Sequence, residues 1–147
     1  MTNDPLSLEN QVCFALAVAA RKVISAYRPI LEPMGLTHPQ YLAMLALWER
    51  SPRTVGELAS ALALEPATLS PLLKRLESAG LVTRARSTTD ERALDVELTP
   101  AGRALRAQAE TVPPRVAAML DLSLEELGEL REILHRTIAA ADRAAAT

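Results

Sequence analysis

The chain has 147 residues, a formal net charge of −2 and one cysteine. That length suits one domain with a real core, and the lone thiol excludes an intrachain disulfide and any multi-cysteine metal site. Half of the residues are hydrophobic, but alanine and leucine supply most of them and aromatics only 3%, which favours helix over strand.

The longest apolar runs fall far short of a membrane span. Met-Thr-Asn-Asp-Pro at the start lacks the basic residues and apolar core of a signal peptide. The expectation is a cytoplasmic protein with no membrane partner. The global charge argues weakly against nucleic acid, yet binding depends on local charge. Residues 66–92 carry Lys74, Arg75, Arg84, Arg86 and Arg92 against Glu77, Asp90 and Glu91. Acids gather elsewhere, as at Glu125, Glu126, Glu129 and Glu132.

Asp4-Pro5 or Ser7 can open a first helix. It runs through Leu8, Val12, Cys13, Leu16, Ala19, Ala20, Val23 and Ile24 and ends before Pro29. Thr37-His38-Pro39-Gln40 has the T-x-x-Q form of a capping box and opens a second helix through Trp48. Ser51-Pro52-Arg53 reads as a turn. Thr54 and Glu57 form another capping box, with Val55, Leu58, Ala59 and Leu62 on one face of the helix that follows.

Leu64-Glu65-Pro66 breaks that pattern, and Pro66 suits the first position of the next helix. There Leu69, Leu72, Leu73 and Leu76 make a buried stripe, while Ala67, Thr68, Ser70, Pro71, Lys74 and Arg75 face out. Gly80 is the stop signal. Val82–Arg86 and Leu94–Leu98 predict a two-stranded hairpin with a polar tip at residues 87–92, the second strand alternating strictly.

Thr99-Pro100 starts a long helical stretch that Pro113-Pro114 must kink or interrupt. Ser123-Leu124-Glu125-Glu126 is a further capping box. It opens a last helix with Leu124, Leu127, Leu130, Ile133, Leu134 and Ile138 on one face, and the alanine-rich tail is expected to fray.

These elements predict a mainly α (α+β) fold, a winged helix-turn-helix. The chain reads as a single domain over residues 1–147. Its DNA-binding lobe spans about 36–99, and its terminal helices, about 5–28 and 100–143, form a dimerisation lobe. The wide apolar surface of those helices calls for a second copy. A homodimer also fits pseudo-palindromic double-stranded DNA, because two recognition helices must lie about one DNA turn apart, roughly 34 Å.

Two stretches carry a family likeness. D-x-R-x-x-x-V-x-L-T stands at Asp90, Arg92, Val96, Leu98 and Thr99, and LLKRLESAGLVTR at residues 72–84. Together they resemble the MarR family of winged-helix repressors. LENQVCFAL (8–16), AYRPILEPMGLTHPQYLAML (26–45) and PATLSPLLKRLE (66–77) resemble its organic-hydroperoxide-sensing branch, often called OhrR. The resemblance implies a dimer that represses transcription until a cysteine near the N-terminus is oxidised.

By resemblance and position, the helix from Pro66 enters the major groove. Thr68 and Ser70 are suited to base edges or phosphates, Lys74 and Arg75 to phosphates, and Ala67 to a thymine methyl. Pro71 turns its ring to the DNA. Arg92 suits a narrow minor groove, with Asp90 to orient it, and Arg84 and Arg86 meet the backbone. Any one of these alone reads as an ordinary solvated residue, and the constellation is what points to DNA.

Cys13 alone reads as a small buried hydrophobe, and the resemblance makes it the redox sensor. Tyr27 matches one of two tyrosines that hydrogen-bond the thiolate in that branch. His38 stands where the second is expected, and Ala17 replaces a further one. His38 either donates to the thiolate or simply opens its helix. Cys13 and Tyr27 lie 14 residues apart, about 21 Å along one helix. If both serve one site, the partner subunit must supply Tyr27.

Two alternatives stand beside this reading. One is a repressor of the same family released by a small anionic or phenolic ligand, with Cys13 structural. The other is a winged-helix protein-interaction module. An enzyme is not expected, since there is no catalytic constellation, no metal site around His38 or His135, and no Gly-rich phosphate loop. No cofactor is expected.

Overall fold

The computed structural model describes residues 3–147; Met1 and Thr2 of the stretch read for a targeting signal lie outside the described residues. Two compact units divide at Glu110–Thr111. The first holds five helices and a small sheet: α1 (Val12–Leu31), α2 (His38–Glu49), β1 (Arg53–Thr54), α3 (Val55–Leu62), α4 (Pro66–Ser78), β2 (Val82–Arg86), β3 (Leu94–Leu98) and α5 (Pro100–Ala109). The second holds α6 (Val112–Leu120) and α7 (Leu124–Ala145). The fold is mainly helical, and α3, α4 and the sheet form a winged helix-turn-helix.

The first helix differs from expectation at both ends. It begins at Val12, after a single 3-10 turn at Leu8–Asn10. Local side-chain bonds hold that turn: Asp4 Oδ1 accepts from the Leu6 amide at 3.0 Å, and Asn10 Nδ2 donates to the Asp4 carbonyl at 2.8 Å. Such bonds compete with helix formation. At the other end α1 runs through Pro29 to Leu31. Proline forfeits one helical hydrogen bond, but continuing the helix buries Ile30 and Leu31. Each such side chain is worth about 1.5–3 kcal/mol.

Thr37 and Gln40 make the reciprocal capping box, with both bonds present. Only half of the second expected box forms. Thr54 Oγ1 accepts from the Glu57 amide at 3.0 Å, but the Glu57 carboxylate turns to Arg50 at 2.7 Å. The expected Ser51–Arg53 turn is partly a strand. Arg53 pairs with Val96 and Thr54 with Asp95, so the hairpin becomes a three-stranded antiparallel sheet, ordered β1-β3-β2. The Arg53 side chain fixes this edge by donating to the Ala46 carbonyl at 3.0 Å.

The core of this unit is built from Leu31, Met44, Leu47, Leu58 and the four leucines of α4, closed below by Val82 and Val96. Gly80, at φ +76°, ends α4: its amide bonds to the Glu77 carbonyl and the Leu81 amide to the Leu76 carbonyl. That is the Schellman arrangement, which favours glycine at this conformation. The strand β2 therefore leaves at a fixed angle from the end of α4.

In the second unit, Pro113 and Pro114 lie in the first turn of α6, where missing amides cost nothing. Ser123 and Glu126 form a complete capping box at the start of α7. Leu124, Leu130, Ile133 and Ile138 are exposed, and α7 has no buried residue. Among the described residues no helix is long and apolar enough to cross a membrane.

Candidate nucleic-acid interface and thiol site

The four buried leucines orient α4. At about 100° per residue, Ala67, Pro71, Lys74 and Ser78 then occupy the middle of the opposite face. Ala67, Thr68, Ser70, Pro71, Lys74 and Arg75 are all exposed. Pro71, Lys74, Arg75 and Ser78 line one shallow groove of about 380 Å3 on this face. A second recess, of about 480 Å3, lies between α4, the start of α3 and the hairpin. Ser70, Arg84, Asp90 and Arg92 line it together with Thr54 and Gly56. Arg86 stands apart at the exposed end of β2, opposite Leu94.

Charge is available on this surface. Lys74, Arg75, Arg86 and Arg92 make no ion pair among the described residues. Arg84 differs, because its guanidinium holds the Glu77 carboxylate at 3.2 Å and is largely covered. The pair links α4 to β2. Asp90 also departs from the expected role: its Oδ1 accepts from the Arg92 backbone amide at 3.0 Å and shapes the loop rather than gripping the guanidinium.

Sequence reasoning missed Ser87, the one buried polar residue in the described core. Its Oγ accepts from the amides of Thr89 at 3.2 Å and Asp90 at 3.3 Å. The Ser87 amide and the Ala93 carbonyl close the loop behind it at 2.9 Å. A serine whose hydroxyl bonds the backbone two residues on is a turn former, but nothing in the pattern foretold its burial.

Cys13 is exposed and is the second residue of α1. Helix N-termini carry unpaired amides and favour negative charge. Tyr27 lies almost four turns further on, about 21 Å along the axis and only about 40° around it. Its ring is 4.7 Å from that of His38 and 5.9 Å from that of Tyr41. Tyr41 is almost wholly buried. Burial raises the Tyr27 phenol above its ordinary value and lowers the His38 imidazole. Burial, then the neighbouring Tyr27, raises Tyr41. The three rings are thus neutral donors near pH 7. Within one chain they gather without Cys13.

A sequence model of the MarR family matches residues 36–94. The organic hydroperoxide resistance transcriptional regulator of Bacillus subtilis (strain 168) is 40% identical over 132 residues, covering 90% of each chain. The chain belongs to the MarR family. AbfR of Staphylococcus epidermidis superposes with a TM-score of 0.77 at 34% identity, over 92% of this chain and 94% of that one. Reduced AbfR bound to DNA gives a TM-score of 0.74 at 34% identity, over 91% and 94%. This MarR-family protein is accordingly a transcriptional regulator that binds DNA, and not an enzyme.

Proposed function

We propose that the protein is a homodimeric repressor that leaves its operator when an organic hydroperoxide oxidises Cys13. Its α4 enters the major groove, and Arg92 at the hairpin tip enters the minor groove. Lys74, Arg75 and Arg86 serve the phosphates, Arg84 holds the hairpin to α4 through Glu77, and Ala67, Thr68, Ser70 and Pro71 meet the bases. The apolar faces of α1 and α7, open in a single chain, supply a dimer interface.

The observation that carries the redox reading is the position of Cys13, exposed in the first turn of α1 and remote from Tyr27 and His38. An antiparallel pair of α1 helices brings the thiolate of one chain to the Tyr27–His38 pair of its partner. The thiolate attacks the distal peroxide oxygen, the O–O bond breaks, and a sulfenic acid forms. The departing alkoxide takes a proton from the Tyr27 phenol, which solvent then restores, and leaves as an alcohol. The chain has no second cysteine, so lasting inactivation needs either a small cellular thiol, which condenses with the sulfenic acid to a mixed disulfide and water, or further oxidation by a second hydroperoxide. The similarity to the Bacillus hydroperoxide resistance regulator supports this chemistry.

Mixed dimers test the shared site. Cys13→Ser chains are paired with chains carrying Tyr27→Phe and His38→Ala. A site built across the dimer leaves each hybrid one complete set, so the single cysteine-bearing chain of every hybrid oxidises at the wild-type rate. A site built within one chain leaves none, and hybrids then oxidise no faster than the double variant alone.

One observation favours a second reading. A recess of about 580 Å3 beside His38 is lined by Arg21, Ile24, Arg28 and Leu36, which suits a small anionic ligand. That reading requires Cys13→Ser to keep its response to inducer.

A further inference from the structure

We propose that the main-chain carbonyl of Ala67, denied its helical donor by Pro71, reads an exocyclic amino group of adenine or cytosine in the major groove. The inference rests on α4 being the groove helix. Pro71 lies inside α4. In an uninterrupted helix the carbonyl four residues earlier accepts the amide of residue 71. Proline has no amide, and its ring pushes against that same carbonyl. The carbonyl therefore lacks its regular partner.

Its place on the helix makes this consequential. Ala67 and Pro71 both lie in the middle of the exposed face, opposite Leu76. The side chains around them are short: a methyl at Ala67 and hydroxyls at Thr68 and Ser70. The backbone can thus approach base edges closely, while the longer Lys74 and Arg75 reach the flanking phosphates.

The chemistry then narrows the partner. In solvent this carbonyl is hydrated, but in a dry groove interface it needs a donor. Phosphates, guanine O6 and N7, and thymine O4 are all acceptors. Adenine N6 and cytosine N4 are the major-groove donors. Among the outward groups from Ala67 to Arg75, the hydroxyls turn either way and the cations only donate. The Ala67 carbonyl is the fixed acceptor of that surface. Every base pair offers one of these donors, so the carbonyl selects the strand: on the strand it faces, at one position in each half-site, it favours adenine or cytosine and penalises guanine or thymine.

The test begins with selection of duplexes from a randomised pool by the full-length protein. At the position where one strand is selected for adenine or cytosine over guanine or thymine, that base is replaced by an analogue lacking the amino group, purine or 2-pyrimidinone. Wild type is expected to lose roughly tenfold in affinity, the scale of one unpaired acceptor. Pro71→Ala, which restores the helical bond, is expected to lose less than about twofold and to melt no lower than wild type. Equal losses in both proteins, or no such base preference, overturn the inference. A Lys74→Ala, Arg75→Ala protein separates the two failures. If its salt dependence is unchanged, α4 is not the groove helix and both readings fall. If its salt dependence drops while the analogue penalties stay equal, the role of the carbonyl alone falls.

Discussion

Replacing Gly102 with alanine puts a methyl group into a junction that has no room for it. A Cβ there stands 2.1 Å from the Leu81 carbonyl oxygen, 3.1 Å from its carbon and 3.2 Å from Leu98 Cδ2. The obstacle is backbone, so no rotamer relieves it, and the start of α5 must move away from the end of α4. That motion pulls on the bond from Trp48 Nε1 to the Gly102 carbonyl at 2.9 Å. It also pulls on the bond from Thr99 Oγ1 to the Gly80 carbonyl at 2.6 Å. Overpacking costs about 1–3 kcal/mol, and one weakened hydrogen bond about 0.5–1.5 kcal/mol. Better helix propensity returns about 0.5–1 kcal/mol. The expected net loss is roughly 1–3 kcal/mol. Urea unfolding at one fixed protein concentration, followed through the emission of the lone Trp48, measures it. Because the same junction sets the exit of β2, DNA affinity should fall as well. Stability within about 0.5 kcal/mol of wild type, with unchanged Trp48 emission, refutes the reasoning.

Ser87→Ala leaves the Thr89 and Asp90 amides without their buried acceptor. DNA affinity should drop several-fold with global stability lowered by no more than about 1 kcal/mol; undiminished affinity in a titration with duplex DNA contradicts a positioning role for the loop. Burial lowers the His38 pKa in the folded chain, so the unfolded chain takes up the proton first as pH falls. The stability contributed by neutral His38 is present above the ordinary histidine value and is lost as pH falls through the folded one. His38→Gln should therefore lose less stability than wild type between about pH 7.5 and 5, which denaturant titrations across that range check; parallel curves contradict it.

The helices of the winged core were legible because their signals are local. The α4 leucines recur at helical spacing, Thr37 and Ser123 each face a partner three residues on, and Gly80 follows the last buried leucine. The misread parts depend on contacts the local pattern does not encode. Arg53–Thr54 is a strand only because Val96 and Asp95 come alongside from 43 and 41 residues later. The start of α1 is decided by Asp4, Asn10 and Gln11 bonding to nearby backbone in preference to the helix. The candidate interface was readable as a list of outward residues on α4 and the hairpin. Its internal organisation was not, since the Glu77–Arg84 pair and the burial of Ser87 arise only when β2 folds back beside α4.

The central claim is that Cys13 is the switch. Reduced wild type and Cys13→Ser are bound to a fluorescent duplex from the promoter region of the protein's own gene, and anisotropy is followed while cumene hydroperoxide or hydrogen peroxide is added. The account predicts that wild type releases DNA on the organic peroxide and that Cys13→Ser stays bound, with mass spectrometry finding oxygen or a thiol adduct on Cys13. Retention of DNA by both proteins, or release by both, contradicts it.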